Sequence, residues 1–366
     1  VAEDNYVAPL VADEWAFPAA GDTRFTWHYD NGRERLLSLY QKGKDKQWDS
    51  VRRIDWDLAV DPFDVLGTPE QSLAIYGSKQ WEKLGPADRQ ELRQHLASWE
   101  FSQFLHGEQG AMICSARIVE AVPDLDSKFY AATQVMDEAR HAEIFAKFLQ
   151  DKIGLSYPIN GSLQALLHDA LNDSRWDMPY LGMQVLIEGL ALAAFGILRD
   201  RTDKPLPKQI LAYIMQDEAR HVAFGRLALR DYYAQLSAAE IAEREEFVIE
   251  GCHLMRDRFR MQEVYENLGY DLAECMEYVD KGPRPRAFRS LLFARIVPCV
   301  RDIGLWGPKV RQAYDDMGVL DMANVDLVRM MESDEELAEQ IDDEKREMAM
   351  RRDEIDEAVR QGALAD

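Results

Sequence analysis

Residues 135–145 read VMDEARHAEIF and residues 215–225 read MQDEARHVAFG. The pentapeptide DEARH therefore occurs twice, and each copy sets a carboxylate and an imidazole three positions apart: Glu138 with His141, and Glu218 with His221. On an α-helix, positions i and i+3 share a face, so each pair can grip one ion. A single Glu-x-x-His is commonly a surface or capping feature, and two copies can still be two ion-paired helix faces. The residues around them decide between these readings.

Each motif is preceded at the same distance by another glutamate. Glu108 lies in FLHGEQGAM and Glu188 in QVLIEGLAL, and the offsets from Glu108 to Glu138 and from Glu188 to Glu218 are both 30 residues. The midpoints fall in helix breakers, AVPDLDS at 121–127 and RDRTDKPLPK at 199–208. Residues equidistant from the turn of an antiparallel helical hairpin lie level. Both glutamate pairs are thus expected side by side, about 20 Å from their turns at 1.5 Å per residue.

Apolar residues recur at three- and four-residue intervals over most of the chain, with Pro and Gly clustered between segments. The pattern predicts helices near 88–120, 125–151, 162–172, 177–200, 206–235, 238–268, 285–300 and 333–361. No strand alternation is evident, and the fold class is all-α. Two hairpins joined by the long link 152–176 give a ferritin-like four-helix bundle with one crossover, to which N- and C-terminal helices are added. Residues 1–87, with a short helix near RERLLSLYQKG, read as a wrapping segment. Residues 88–268 read as the bundle and residues 269–366 as an acidic helical extension.

Glu108, Glu138, His141, Glu188, Glu218 and His221 form the candidate metal set. One Glu from each of two helices plus a Glu-x-x-His from each of the other two is the ligand pattern of di-iron and di-manganese carboxylate bundles. Four carboxylates nearly balance two divalent cations, and oxygen-rich sites with one nitrogen each suit iron or manganese better than structural zinc. Glu188 is the sharpest case, because VLIEGLALAAFGIL at 185–198 carries no other charge. A carboxylate there costs several kcal/mol unless paired or metal-bound. Asp137 and Asp217 are placed to orient the imidazoles across the bundle, with Arg140 and Arg220 balancing charge. The alternative is that these four form ordinary exposed ion pairs. Ala111, Met112, Cys114, Phe145, Leu192 and Phe195, one turn from the ligands, are candidates for a substrate pocket or for plain core.

The six-residue set resembles that of the ferritin-like, O2-activating di-iron carboxylate proteins, over about residues 88–235. These include multicomponent monooxygenase hydroxylases, acyl-carrier-protein desaturases, ribonucleotide reductase small subunits and arylamine N-oxygenases. The doubled DEARH is most similar to the monooxygenases, then to the desaturases. Phe145 stands where reductase subunits keep a radical tyrosine, with Tyr130 and Tyr180 elsewhere in the sequence. Ala191 and Leu192 replace a threonine common in the oxygenases, and Ile214 stands where N-oxygenases add a third histidine. The resemblance implies two Fe ions, or Mn with Fe, and O2 as co-substrate. It further implies hydroxylation, desaturation or N- or C-oxidation of a small, largely apolar organic molecule. Iron storage, peroxide reduction of the rubrerythrin kind, and a reductase-like subunit without its radical tyrosine remain as alternatives.

With 47% hydrophobic residues in 366, the chain can bury a large core. A formal charge of −23 argues against nucleic acid as a partner. No run of about 18 apolar residues is present to span a membrane. Four scattered cysteines, and an N-terminus without a basic start or apolar core, make a reducing cytoplasm the expected location. No cluster-binding cysteines or flavin fingerprint are visible, so electrons are expected from a separate donor such as a ferredoxin or reductase. The run 281–301 carries six basic residues and no acidic one. It could dock such a donor or an acyl carrier protein, or pair internally with the acidic C-terminal helix, where residues 315–366 hold 18 acidic and 6 basic side chains. A homodimer is compatible with the sequence.

Overall fold

The computed structural model describes residues 22–26, 29 and 32–360, so most of the N-terminal wrapping segment before residue 32 lies outside the described residues. Every regular element among the described residues is helical. The first hairpin is α2 (Pro86–Ala121) and α3 (Leu125–Phe148). Helix α2 starts at a proline, which suits a first turn whose N–H has no helical partner, and Asp88 accepts the Gly85 N–H at 2.8 Å. Asp124 caps α3 through the Ser127 N–H at 2.9 Å. The breaker 121–127 therefore ends one helix and starts the next.

The link then carries α4 (Gly161–Asn172), capped by Asn160. The second hairpin is α5 (Asp177–Arg201) and α6 (Pro205–Tyr233). In α5, residues Tyr180–Ile187 form a π-helical stretch that ends immediately before Glu188. Such wide turns shift the register of the helix beyond them and recur at functional sites. Among the described residues α5 is the one helix long and apolar enough to cross a membrane, but 83% of its apolar window is buried inside the protein. It is the central helix of a ferritin-like bundle, in which α2 packs on α3 and α5 on α6.

Additional helices cover this body. Helix α1 (Glu34–Asp45) lies on α3 and α6, α7 (Ala238–Arg258) lies on α4 and the π stretch, and α8 (Leu327–Arg360) lies on α6. Lys42 and Lys46 of the N-terminal segment pair with Glu335, and Lys46 also with Glu339, which ties α8 to it. A single buried apolar cluster runs from Leu36 to Ala338.

Two segments differ from the sequence reading. The stretch 238–268 is not one helix: α7 ends at Arg258, and a short helix Gln262–Asn267 follows Met261, whose φ of 53° is left-handed. No Gly or Pro marks this break. Tertiary packing imposes it, with Phe259 turned into the core against Trp99 (6.0 Å between ring centroids) and Phe288 (5.9 Å). The stretch 285–300 is likewise divided, into helices Pro283–Leu291 and Ile296–Asp302 around a tight turn.

Candidate metal centre

The 30-residue offsets place the two glutamate pairs together. Glu108, Glu138, His141 and Glu218 offer ligand atoms that all lie within 4.8 Å of one another, and so do Glu138, Glu188, Glu218 and His221. The two groups share Glu138 and Glu218. All six residues are at most 5% exposed. His141 Nδ1 lies 2.9 Å from Glu218, 3.3 Å from Glu138 and 3.5 Å from Glu108. His221 Nδ1 lies 3.0 Å from Glu138 and 3.4 Å from Glu218.

The donor set fits two cations. Buried polar atoms are normally hydrogen-bonded, yet Glu188 Oε2, both Glu218 oxygens and His221 Nδ1 have no hydrogen-bond partner. Four carboxylates face two imidazoles around one point, and no Lys or Arg among the described residues pairs with them there. Burial pushes the Glu108 and Glu188 carboxyls well above the usual range, and the neighbouring carboxylates Glu218 and Glu138 respectively add to it. Burial acts the same way on Glu138 but is outweighed by His221 and His141, which hold it well below that range. Both imidazoles are raised far above their ordinary value. Burial opposes this, but the surrounding carboxylates prevail. The centre therefore demands positive charge.

The outer nitrogens of the imidazoles are held crosswise. His141 Nε2 lies 3.1 Å from Asp217 and His221 Nε2 lies 3.2 Å from Asp137. Arg140 donates to Asp137 at 2.5 Å and to Asp217 at 2.8 Å, and Arg220 donates to Asp217. These four side chains are at most 7% exposed, so they are not surface ion pairs.

Several residues around the site do not stand out in the sequence. Gln134, one turn before Glu138, donates to Glu138 at 2.9 Å and to Glu188 at 2.7 Å. Gln47 and Trp48, from the chain after α1, donate to Asp137 at 2.7 Å and to Asp217 at 2.8 Å. The helical period alone could have found Gln134. Nothing in the sequence ties Gln47 or Trp48 to a bundle starting about 40 residues later. Tyr130, two turns before the first motif on α3, packs beside the centre, with its ring centroid 6.5 Å from that of His221 and its buried hydroxyl unpartnered.

The cavities take in only part of the expected pocket. A void of about 20 Å³ is lined by Gln103, Phe104, Gly107, Glu108, Ile187, Leu190, Ala191, Phe195, Glu218, Arg258 and Phe259. Phe259 also lines a separate cavity of about 560 Å³. Of the expected pocket residues, Phe195 lines the void. Ala111, Met112, Cys114, Phe145 and Leu192 line neither cavity. Phe145 is spent on an aromatic cluster with Phe101, Phe104 and Phe195. Within the basic run, Arg295 binds Asp334 of α8 at 2.5 Å and Arg289 donates to the Val279 carbonyl at 2.8 Å, while Arg284 and Arg286 are exposed.

The sequence matches the family model described as P-aminobenzoate N-oxygenase AurF over residues 30–304. The chain belongs to this family. It is accordingly an oxygen-activating oxidoreductase with a dinuclear iron or manganese–iron cofactor. Among the families that share the six-residue set, the match selects the N-oxygenases over the monooxygenases that the doubled motif most resembles, although Ile214 stands in place of their additional histidine. No curated relative matches the chain. Solved structures similar to it include an R2-like ligand-binding oxidase with a Mn/Fe cofactor, at 17% identity and TM-score 0.49, covering 74% of this chain and 94% of that one. Another is the dimanganese(II)-NrdF of Streptococcus sanguinis, at 13% identity and TM-score 0.49, covering 82% of this chain and 98% of that one. At such identity the likeness concerns helical layout alone.

Proposed function

We propose that this protein is an N-oxygenase of an aromatic amine, with Glu108, Glu138, His141, Glu188, Glu218 and His221 as the ligands of its two metal ions. The observation that carries the reading is the pair of four-residue groups sharing Glu138 and Glu218. Glu108 and His141 would serve one ion and Glu188 and His221 the other, with Glu138 and Glu218 within reach of both. The family supplies the choice of nitrogen as the oxidised atom.

When bound, the two metals supply the binding and reductive activation of O2. The chain's residues prepare the place. Asp217 and Asp137 hold the outer imidazole nitrogens, which leaves Nδ1 of each histidine free to ligate. The Gln134 amide fixes the Glu138 and Glu188 carboxylates in one orientation. Phe104, Ile187, Leu190 and Phe195 give the adjoining void an apolar wall. In the reaction one oxygen atom of O2 joins the amine nitrogen, and the other leaves as water after taking up two electrons and two protons.

Those electrons would come from a separate donor, a ferredoxin or a reductase, and the small organic substrate could arrive free or on a carrier protein. Arg284 and Arg286 are the part of the basic run still available to an acidic partner. A cytoplasmic location accords with four cysteines that are all buried and free.

The test is to supply metal-loaded protein with reductant, O2 and 4-aminobenzoate. The expected result is O2 uptake that depends on the amine, with hydroxylamine or more oxidised nitrogen products. Uptake indifferent to the amine, or accumulation of many iron atoms per chain, would place the protein with iron storage or peroxide reduction instead.

A further inference from the structure

Seven arginines are buried among the described residues, and six have protein partners. Arg140 and Arg220 face Asp217, Arg199 and Arg295 face Asp334, Arg244 faces Asp177, and Arg289 donates to backbone carbonyls. Arg258, at the end of α7, is the exception. It is 4% exposed, its Nε has no hydrogen-bond partner, and no carboxylate pairs with it among the described residues. Burial pushes its guanidinium down to about 10, with no acidic group to offset it. The guanidinium carbon instead lies 5.1 Å from the centre of the Phe259 ring.

A buried, unpaired cation is costly, and proteins keep one where something else completes it. Arg258 lines the void that is also lined by Glu108 and Glu218. One lining thus joins two carboxylates of the metal centre to a cation lacking a counter-ion. The void, at about 20 Å³, has room for about one water molecule. Phe259 lines both this void and the separate 560 Å³ cavity, where the helix breaks and Met261 takes its left-handed turn. The site therefore has a cationic end, an apolar wall, a neighbouring space of ligand size and a metal-facing end.

We infer that Arg258 is the specificity-determining residue of this enzyme, binding the carboxylate of an amphipathic substrate whose opposite end reaches the metal centre. The inference rests on the N-oxygenation reading for the identity of that reacting end, but not for the anion. A planar guanidinium takes a carboxylate through two parallel hydrogen bonds, a geometry that an amide of the same shape cannot reproduce. The carboxylate would supply the charge that Arg258 lacks. Room for the ring beside it requires Phe259 to move toward the larger cavity.

The experiment is calorimetric titration of metal-loaded protein with 4-aminobenzoate and with 4-aminobenzamide, in the wild type and in Arg258→Met and Arg258→Lys. The wild type should bind the carboxylate about tenfold or more tightly than the amide. Arg258→Met should bring that ratio to about one, Arg258→Lys should keep part of it, and metal content should stay the same. Ligand-free Arg258→Met should also melt no lower than the wild type, since it removes an uncompensated buried charge; a purely structural arginine would give a lower melting temperature. Equal binding of acid and amide by the wild type, or an undiminished preference in Arg258→Met, overturns the inference. Arg258-dependent carboxylate binding without oxidation of the amine would sustain it and overturn N-oxygenation.

Discussion

His141 is hydrogen-bonded to Asp217, the aspartate of the other DEARH motif, at 3.1 Å between Nε2 and Oδ2. The exchange is mutual, since His221 meets Asp137 at 3.2 Å. Each repeat therefore supplies a carboxylate and an imidazole to the centre and an orienting carboxylate to its counterpart. Neither half is complete alone, which gives a physical reason for the pentapeptide to occur twice.

Asp217→Asn and Asp137→Asn should each weaken metal binding by about 10- to 100-fold while leaving the helices intact. Competition with a chelator of known affinity, alongside circular dichroism, measures both. Unchanged affinity in both variants would mean that the crosswise bonds do not tune the imidazoles.

The same logic of buried charge applies away from the site. Asp334 is 2% exposed and takes Arg199 at 2.9 Å and Arg295 at 2.5 Å. Asp334→Ala leaves two buried cations without their shared partner and should cost about 3–5 kcal/mol in urea unfolding. A loss below about 1 kcal/mol would show that α8 and the basic run are not fastened by this triad.

Two helical glycines near the centre should respond oppositely to alanine. A Cβ on Gly107 meets nothing within 4 Å, so Gly107→Ala should stabilise by about 0.5–1 kcal/mol and narrow the void beside Glu108. A Cβ on Gly225 would come within 2.5 Å of Gln184 Cβ, where α6 meets the π stretch. Gly225→Ala should therefore cost about 1–3 kcal/mol. Thermal melts of the pair check the contrast.

Glu100 lines the large cavity, and burial pushes its carboxyl up to about 8, the nearby Arg201 only partly opposing this. The folded protein then retains a proton that the unfolded chain releases near 4.5. Stability contributed by the protonated group is thus complete below about 4.5 and is lost as pH rises toward 8. Relative to Glu100→Gln, the wild type should lose stability across that window. Parallel pH profiles for the two proteins would contradict this.

The centre was largely legible because helical arithmetic is rigid: equal offsets about two breakers put Glu108 beside Glu138 and Glu188 beside Glu218. What depended on long-range packing was not. Gln47 and Trp48 reach the motif from a segment with no periodic relation to it. The break at Phe259 carries no Gly or Pro, because a ring seated between Trp99 and Phe288 sets it. Of the residues one turn from the ligands that are expected to form a pocket, Phe195 lines the void and the other five line neither cavity. Which turn of a buried helix faces empty space depends on neighbours such as Arg258, which local sequence does not reveal.

A metal count tests the dinuclear centre most directly. Purified protein reconstituted with Fe(II), or with Mn(II) and Fe(II), should hold two metal ions per chain by elemental analysis. Glu188→Ala and His221→Ala should each lose at least one, and Glu138→Ala, which removes a shared carboxylate, should disturb both. Two ions retained in all three variants, or none bound by the wild type, would contradict the dinuclear centre.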